Sequence, residues 1–433
     1  MKIRDLISAT SATVLNTNID LDADVRISTD TRTIQKGDFY LPLKGASFDG
    51  EKFINQAIEK GAIGAFCTGN NGTLKVNDTL VAYLQLANWR RNKLNFTVVA
   101  ITGSSGKTTT KELVASTLSE KYKTFKTPLN HNNEIGFCQT IFEAPDDTEV
   151  LVLEMGMRGL GEIELLSKYA EPDITIITGI GTSHIGRLGS KENIAKAKCE
   201  IVKYQRGNVF IALNDELIKN TVNFNGKKIF YSLKDTRILE RQAHYTKFEY
   251  EDNIYELNVG GDYNVENALA AIQAGKTLNM TCSEIKNGLK KYKPIEKRWE
   301  CVNAGGYEII NDSYNANPES MRAFIKTITE LYDNYTIVLG EMGELGEETT
   351  RYHSKLGEFI SNNSKLDKNT QIISVGNISK HITDNIKSCK TAHCDNIEDA
   401  AQYIKNNIQK NTKIFLKASR YMKFEKIIEI LMH

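Results

Sequence analysis

The sequence has almost no excess of charge of either sign. Its 433 residues carry 55 lysines and arginines against 54 aspartates and glutamates, which gives a formal net charge of +1. A protein that coats nucleic acid or an anionic membrane depends on a large basic excess. We therefore expect no nucleic-acid partner, and any anionic ligand must be held by a few well-placed groups.

The sequence also lacks the patterns of membrane-spanning, secreted and cysteine-dependent proteins. No apolar run approaches the roughly 18 residues that a spanning helix needs. Asp5 interrupts the first apolar stretch, so we expect no secretory signal. The seven cysteines are odd in number and are not paired at metal-binding spacing, which is typical of reduced cytosolic thiols. These absences predict a cytoplasmic protein without membrane insertion.

What the chain does contain is an alternation of short apolar runs and helical stretches, which predicts an α/β protein of three domains. We expect a small α/β domain over residues 1–90, a central P-loop ATPase-like domain with a mostly parallel sheet over 91–297, and a Rossmann-like domain over 298–433. Unbroken apolar strands between helices favour a parallel sheet covered on both faces. In the last domain, strands are expected at 308–310, 336–339, 372–375 and 414–416.

The most specific local motif is TGSSGKTTT at residues 102–110. It follows a strand and opens a helix, as a phosphate-binding loop does, although Ile101 replaces the first glycine of the usual pattern. The alternative is a turn that caps a helix, but the strand context and the Lys-Thr pair favour ATP. Lys107 is expected to reach the terminal phosphates and Thr108 to ligate Mg²⁺. The residues expected to bind ATP here are Thr102, Gly103, Ser104, Ser105, Gly106, Lys107, Thr108 and Thr109.

Three polar residues follow this loop in the chain. Glu154 ends a predicted strand and would lie at the carboxyl edge of the sheet, where ligands bind in open α/β sheets. His184 follows the next strand, and Lys198 lies in a helical stretch. Taken singly, they could be a helix cap, a structural histidine and a solvated lysine. Together with the loop, the carboxylate and the imidazole make a suitable ligand set for Mg²⁺ beside a γ-phosphate.

These motifs resemble those of the Mur ligases, the ATP-dependent amide ligases of peptidoglycan precursor synthesis. The resemblance keeps the family's motif order over nearly the whole chain, and it favours the member that joins D-alanyl-D-alanine to a UDP-N-acetylmuramoyl-tripeptide. The stretches that carry it are TGSSGKTTT at 102–110, LEMG with Glu154, GIGTSHI with His184, AKCEI with Lys198, DTR at 30–32, NHNNEIG at 130–136, NDSYNANP at 311–318 and LGEMGELG at 339–346 with His353.

The resemblance implies a catalytic set of Lys107, Glu154, His184 and Lys198. Thr108 and Glu154 would ligate the Mg²⁺ that bridges the ATP phosphates, and His184 would help to hold a second Mg²⁺. Lys198 matches the lysine that the family carbamylates, which converts an ammonium group into a carboxylate-like ligand. The expected metal ligands are therefore Thr108, Glu154, His184 and Lys198.

The resemblance also implies contacts to the rest of ATP and to the two other substrates. Asn264 and Asn267 match the adenine side, although both could be helix caps. Arg298 and Asp312 match residues that contact the γ-phosphate and the ribose, although Arg298 could form a linker salt bridge. The residues expected to bind the muramoyl peptide or the dipeptide are Asp30, Arg32, Asn132, Asn133, Tyr314, Asn315, Asn317, Lys417 and Ser419.

Two positions depart from the family pattern, and two other functions stay open. Tyr263 stands where histidine is common, and Ala418 stands where glycine is usual. A different superfamily ligase, such as a folylpolyglutamate synthase, is one alternative, against which the Asn-Ala-Asn-Pro motif argues. A nucleotide-binding switch without turnover is the other. We expect a monomer.

Overall fold

The computed structural model describes residues 1–45, 48–295, 297–363, 365–366 and 370–433. In these residues strands alternate with helices, which confirms the predicted α/β class. The strands are β1 (Thr13–Val14), β2 (Ile27–Ser28), β3 (Phe39–Tyr40), β4 (Lys44–Gly45), β5 (Phe48–Asp49), β6 (Gly64–Cys67), β7 (Leu74–Lys75), β8 (Thr97–Thr102), β9 (Thr124–Lys126), β10 (Val150–Glu154), β11 (Ile174–Ile177), β12 (Val209–Leu213), β13 (Lys227–Tyr231), β14 (Thr236–Gln242), β15 (Tyr245–Tyr250), β16 (Asn253–Leu257), β17 (Glu300–Ala304), β18 (Tyr307–Asn311), β19 (Tyr335–Leu339), β20 (Gln371–Val375), β21 (Lys390–Cys394) and β22 (Lys413–Lys417). The α-helices are α1 (Ile3–Thr10), α2 (Ile54–Glu59), α3 (Thr79–Leu94), α4 (Lys107–Leu118), α5 (Glu134–Glu143), α6 (Glu162–Ala170), α7 (Ile185–Leu188), α8 (Lys191–Cys199), α9 (Glu216–Thr221), α10 (Asp262–Thr277), α11 (Cys282–Lys291), α12 (Pro318–Leu331), α13 (Thr349–Ser361), α14 (Lys380–Thr383), α15 (Ile397–Asn407) and α16 (Glu425–Met432).

The first compact unit consists of residues 1–96 and 127–149. Its sheet has the order β1–β7–β6–β3–β2, in which only the β1–β7 pair is antiparallel. Helix α3 packs against α1 and α5. Arg90 on α3 donates hydrogen bonds to the backbone carbonyls of Ile141 and Ala144 at the end of α5. The later segment therefore belongs to this unit, although it interrupts the second unit in sequence.

The second compact unit consists of residues 97–126 and 150–433. Its first sheet has the order β13–β12–β11–β8–β10–β9 and is parallel throughout, which confirms the predicted parallel sheet. All five residues of β10 are buried, as is typical of a strand covered on both faces. Helices α4 and α10 pack together beside this sheet. An antiparallel ribbon, β14–β15–β16, follows it and was not predicted.

The other large sheet of this unit has the order β17–β18–β22–β19–β20–β21. Its strands β18, β19, β20 and β22 lie where the sequence predicts them, and they are parallel. The edge strand β17, which is antiparallel to β18, and the strand β21 were not predicted. The predicted domain borders near residues 90 and 297 stay predictions.

The parallel order of β10, β8 and β11 places their carboxyl ends side by side. Glu154 pairs with Ile101, and Ile177 pairs with Thr102, so the three strands end at the same level. The phosphate loop follows the middle strand β8, and the segment 178–184 follows its neighbour β11.

Among the residues that the structure describes, no helix is both long enough and apolar enough to cross a membrane.

Candidate active site

The loop between β8 and α4 is tightly enclosed. Gly103 and Gly106 have φ values of +154° and +81°, which favour glycine. A Cβ atom on Gly103 would lie 1.9 Å from the Thr178 hydroxyl oxygen, and one on Gly106 would lie 2.5 Å from Asn267 Oδ1. Helix α4 therefore begins directly after a loop in which the backbone at Gly103 and Gly106 carries no side chain. This is the strand, loop and helix arrangement of a phosphate cradle.

Two lysines converge on this loop. Lys107 Nζ and Lys198 Nζ both donate to the backbone carbonyl oxygen of Gly103, at 2.9 Å and 3.0 Å. Burial lowers the pKa of both lysines, and the positive charge of Lys107 lowers the pKa of Lys198 further. Lys198 is only 1% exposed. An anion at this position would relieve the repulsion between the two ammonium groups.

Arg298 brings a third positive charge to the same loop. Its Nη2 donates a hydrogen bond of 2.8 Å to the Thr108 hydroxyl, and its guanidinium lies over the Tyr314 ring at 4.1 Å. Its Nε is buried and has no hydrogen-bond partner. The residue predicted to contact the γ-phosphate therefore does reach the phosphate loop.

Glu154 lies at the end of β10 and is 5% exposed. Lys111 Nζ on α4 lies 4.0 Å from Glu154 Oε2 and 3.2 Å from Glu112 Oε1. The carboxylate predicted to bind Mg²⁺ is thus buried beside a cation. In the described part of the chain, no group of three or more His, Cys, Asp or Glu side chains could hold a metal ion.

His184 has a left-handed backbone with φ +65°. Its Nδ1 lies 2.9 Å from Glu344 Oε2, and a hydrogen bond from His184 lowers the pKa of that carboxyl group. The backbone N–H of Gly186 donates to the carbonyl of Glu344 at 3.3 Å. The sequence identified the segment that contains Glu344, but it did not indicate this contact.

The two asparagines that are predicted to lie on the adenine side are in the first turns of α10. Asn264 Nδ2 donates to the carbonyl of Gly260, and Asn267 Oδ1 accepts from the Thr110 hydroxyl at 3.1 Å. Neither side chain caps α10, because no side-chain hydrogen bond caps that helix. The hydroxyl of the neighbouring Tyr263 is buried without a hydrogen-bond partner, and burial raises the pKa of Tyr263.

Several residues expected at the dipeptide have protein partners. Lys417 Nζ donates to Asp312 Oδ2 at 2.6 Å and to the carbonyls of Asp312 and Asn315 at 3.3 Å. Ser419 Oγ donates to the carbonyl of Ala316 and accepts from the Gly343 N–H. Lys417 is 3% exposed. These contacts connect the end of β22 to the segment that begins at Asp312.

Asn317 directs its side chain toward the phosphate loop. Its Oδ1 caps α12 by accepting from the Ser320 N–H at 2.8 Å. Its Nδ2 donates to Ser105 Oγ at 2.8 Å and to Ser183 Oγ at 2.7 Å. A residue expected to bind the dipeptide is therefore hydrogen-bonded to the phosphate loop. Glu319, two residues farther on, was not predicted as a functional residue.

The remaining predicted site residues belong to the first compact unit. Arg32 donates to both carboxylate oxygens of Asp30, and this hydrogen bonding lowers the pKa of Asp30 to about 2. Asn133 caps α5 by accepting from the Gly136 N–H at 2.9 Å. Asn132, which precedes it, is partly buried. That these residues bind substrate stays a prediction.

Comparison with known proteins identifies the family. Three family models match the chain: the catalytic domain of the Mur ligase family over residues 25–88, the Mur ligase middle domain over 101–275, and the glutamate ligase domain of Mur ligases over 297–420. The UDP-N-acetylmuramoyl-tripeptide–D-alanyl-D-alanine ligase of Bacillus subtilis is 35% identical, with 99% of this chain and 98% of that protein covered.

Solved structures of Mur ligases also match this chain. A crystal structure of MurF from Acinetobacter baumannii matches with a TM-score of 0.88 and 28% identity, covering 100% of this chain and 98% of that chain. The MurF ligase of Thermotoga maritima in complex with ADP matches with a TM-score of 0.82 and 27% identity, over 94% and 97% of the two chains. The expected three-domain fold is thereby confirmed, and this chain belongs to the Mur ligase family.

Proposed function

We propose that this chain is an ATP-dependent, ADP-forming ligase that joins D-alanyl-D-alanine to UDP-N-acetylmuramoyl-tripeptide in peptidoglycan precursor synthesis. The observation that carries the proposal is the convergence of Lys107, Lys198 and Arg298 on the phosphate loop. The proposal also rests on similarity over 99% of this chain to a UDP-N-acetylmuramoyl-tripeptide–D-alanyl-D-alanine ligase. Such an activity serves cell-wall growth, and through it cell shape and division.

The residues around the loop suit ATP. Two glycines keep side chains out of the backbone cradle, and three cationic side chains surround it. Burial disfavours the charged form of Lys107, and the negative charges of a bound triphosphate would stabilise that form. Asn264, Asn267 and Asp312 would contact the nucleoside.

The same residues suit Mg²⁺ if phosphate oxygens complete its coordination. Thr108 and Glu154 supply a hydroxyl and a carboxylate, and His184 supplies an imidazole nitrogen. Because the described side chains form no complete metal cluster, the bound nucleotide would have to contribute ligands. When bound, Mg²⁺ neutralises phosphate charge and orients the terminal phosphate.

We further propose that Lys198 is carbamylated. Burial and the nearby charge of Lys107 lower its pKa, which favours the neutral amine. The lone pair of a neutral amine attacks the carbon of CO₂, and loss of one proton leaves a carbamate with one negative charge. The negative carbamate would then attract the ammonium group of Lys107.

In the proposed reaction, a carboxylate oxygen of the tripeptide attacks the γ-phosphorus of ATP, and ADP leaves with the bonding electron pair. The resulting acyl phosphate has a good leaving group, which the carboxylate lacked. The amine of D-alanyl-D-alanine then attacks the acyl carbon, a proton is lost, and phosphate departs. Lys107 and Arg298 would stabilise the charge that develops on the transferred group.

The two other substrates are assigned to the remaining predicted residues. Asp30, Arg32, Asn132 and Asn133 would contact the muramoyl peptide. Tyr314, Asn315, Asn317, Lys417 and Ser419 would contact the dipeptide, and Asn317 and Lys417 could do so only by exchanging their present partners. The proposal includes a monomeric enzyme in the cytoplasm, with domain borders near residues 90 and 297.

The test is release of phosphate from ATP by the purified chain. Release should require both UDP-N-acetylmuramoyl-tripeptide and D-alanyl-D-alanine, and it should fall by at least about 100-fold in Lys107→Ala, because a phosphate-binding charge is removed. Lys121→Ala, just beyond the same helix, is the control that should retain activity. ATP binding without substrate-dependent release would instead support a nucleotide-binding switch.

A further inference from the structure

Glu319 lies in the first turn of α12 and uses its carboxylate to bind two other segments. Oε2 accepts hydrogen bonds from the Thr182 backbone N–H at 3.1 Å and from the Thr182 hydroxyl at 2.8 Å. Oε1 accepts from Lys191 Nζ at 2.9 Å. Burial by itself would raise the pKa of Glu319, but these hydrogen bonds outweigh it and lower the pKa. The carboxylate is therefore held in its ionised form.

The two segments that Glu319 joins each carry a residue of the proposed active site. Thr182 lies in the segment after β11, two residues before His184. Lys191 is the first residue of α8, and Ser190 caps this helix by accepting from the Asn193 N–H. The other end of α8 carries Lys198 to the Gly103 carbonyl. One carboxylate thus connects the positions of His184 and Lys198.

The neighbouring Asn317 extends this connection to the phosphate loop. Its Nδ2 donates to Ser105 and Ser183, and the Ser183 hydroxyl donates to the Ser104 carbonyl at 3.0 Å. Space around Glu319 is also limited, because a Cβ atom on Gly181 would lie 3.0 Å from its Oε2. The start of α12 therefore contacts both the loop and the segment beside it.

A carboxylate in the first turn of a helix often acts only on the helix dipole. Here the oxygens of Glu319 accept from Thr182 and Lys191, which lie more than 120 residues earlier in the chain. The capping of α12 is done by Asn317, not by Glu319. The contacts of Glu319 thus connect parts of the site to one another.

We infer that Glu319 is a positioning residue that holds the segment 178–184 and the start of α8 in the arrangement that brings His184 and Lys198 to the phosphate loop. Glu319 lies on α12, so this helix contributes to the arrangement of the segment 178–184 and of α8 through two direct contacts. The expected effect of Glu319 on turnover rests on the proposed ligase function. The expected effect of Glu319 on the position of the segment 178–184 does not.

The kinetic test compares Glu319→Gln, Lys191→Met and the double variant with a control. Gln keeps the size of Glu but places an amide group where the carboxylate accepts hydrogen bonds. We expect kcat to fall by about 10- to 100-fold, because a misplacement of catalytic groups by about 1 Å can cost on the order of 100-fold. The KM for D-alanyl-D-alanine should not change. The double variant should be no slower than Glu319→Gln alone, since both residues act through one contact.

The control is Glu308→Gln, which breaks another Glu–Lys pair, with Lys413 between β18 and β22. This pair makes no contact with the phosphate loop, so kcat should equal that of the wild type. A wild-type kcat in Glu319→Gln, or equal losses in Glu319→Gln and Glu308→Gln, would overturn the inference.

Amide hydrogen exchange of the full chain supplies a readout that needs no turnover. In Glu319→Gln and Glu319→Ala, exchange should accelerate in the segment 178–184, and in Glu308→Gln it should not. Unchanged exchange in the Glu319 variants would refute the inference. If the wild type releases no phosphate, the proposed function fails, but the exchange comparison still decides whether Glu319 holds this segment.

Discussion

Replacement of Lys417 by methionine separates a structural role for this residue from a substrate contact. Lys417 makes an ion pair with Asp312, and the side chains of the pair are 4% and 14% exposed. Removing one partner of a buried ion pair costs about 3–5 kcal/mol, because the other charge is left without compensation. The Lys417 ammonium also donates to the carbonyls of Asp312 and Asn315. We therefore expect Lys417→Met to lower the free energy of unfolding by about 3–5 kcal/mol.

A matched control lies on the same strand. Lys413 pairs with Glu308, and these side chains are 31% and 38% exposed. An exposed pair contributes about 0–1 kcal/mol, so Lys413→Met should have little effect on stability. Asp312→Asn in the Lys417→Met background removes the charge that was left unpaired and should restore part of the loss.

The assay is thermal unfolding of the full chain by calorimetry, with the midpoints of the two lysine variants compared at one pH. The transition that involves the second compact unit should shift markedly in Lys417→Met and only slightly in Lys413→Met. Equal midpoints for the two variants, together with a raised KM for D-alanyl-D-alanine in Lys417→Met, would refute the structural role. They would instead support the role in substrate binding that the sequence predicts.

Two further predictions concern protonation. If Lys198 is carbamylated, Lys198→Ala should lose activity and short carboxylic acids should restore part of it; an unmodified lysine mass with undiminished activity in the variant would contradict this. For Asp30, hydrogen bonds from Arg32 lower the pKa from 3.8 to about 2. A lowered folded-state pKa means that the pair stabilises the fold above about pH 4 and that this contribution disappears as the pH falls toward 2. An NMR titration of the Asp30 carboxyl group with a midpoint near 4 would show that the pair does not form.

Local patterns in the sequence were sufficient for the parallel sheets and for the phosphate loop. The unbroken apolar run of β10 favours a strand buried on both faces. A strand, a glycine-rich turn and a helix follow one another within about 20 residues at 97–118. The ribbon β14–β15–β16 was missed, although β15 alternates between buried and partly buried residues. Its polar edge strand β14 is mostly exposed and gives little apolar signal.

The sequence by itself determined the residue types of the site and the order in which they occur. The phosphate loop, Glu154, His184 and Lys198 can be recognised because each belongs to a short motif. The folded chain brings Lys107, Lys198 and Arg298 to one loop.

Only the tertiary structure decided which side chains form hydrogen bonds and ion pairs with one another. The partners of Glu319 lie 137 and 128 residues away in sequence, and those of Lys417 lie 105 and 102 residues away. No local pattern encodes such pairs, because hydrogen bonds between distant segments depend on how sheets and helices pack. For this reason Asn317, expected at the dipeptide, proved to contact the phosphate loop, and Glu319 became visible only in the fold.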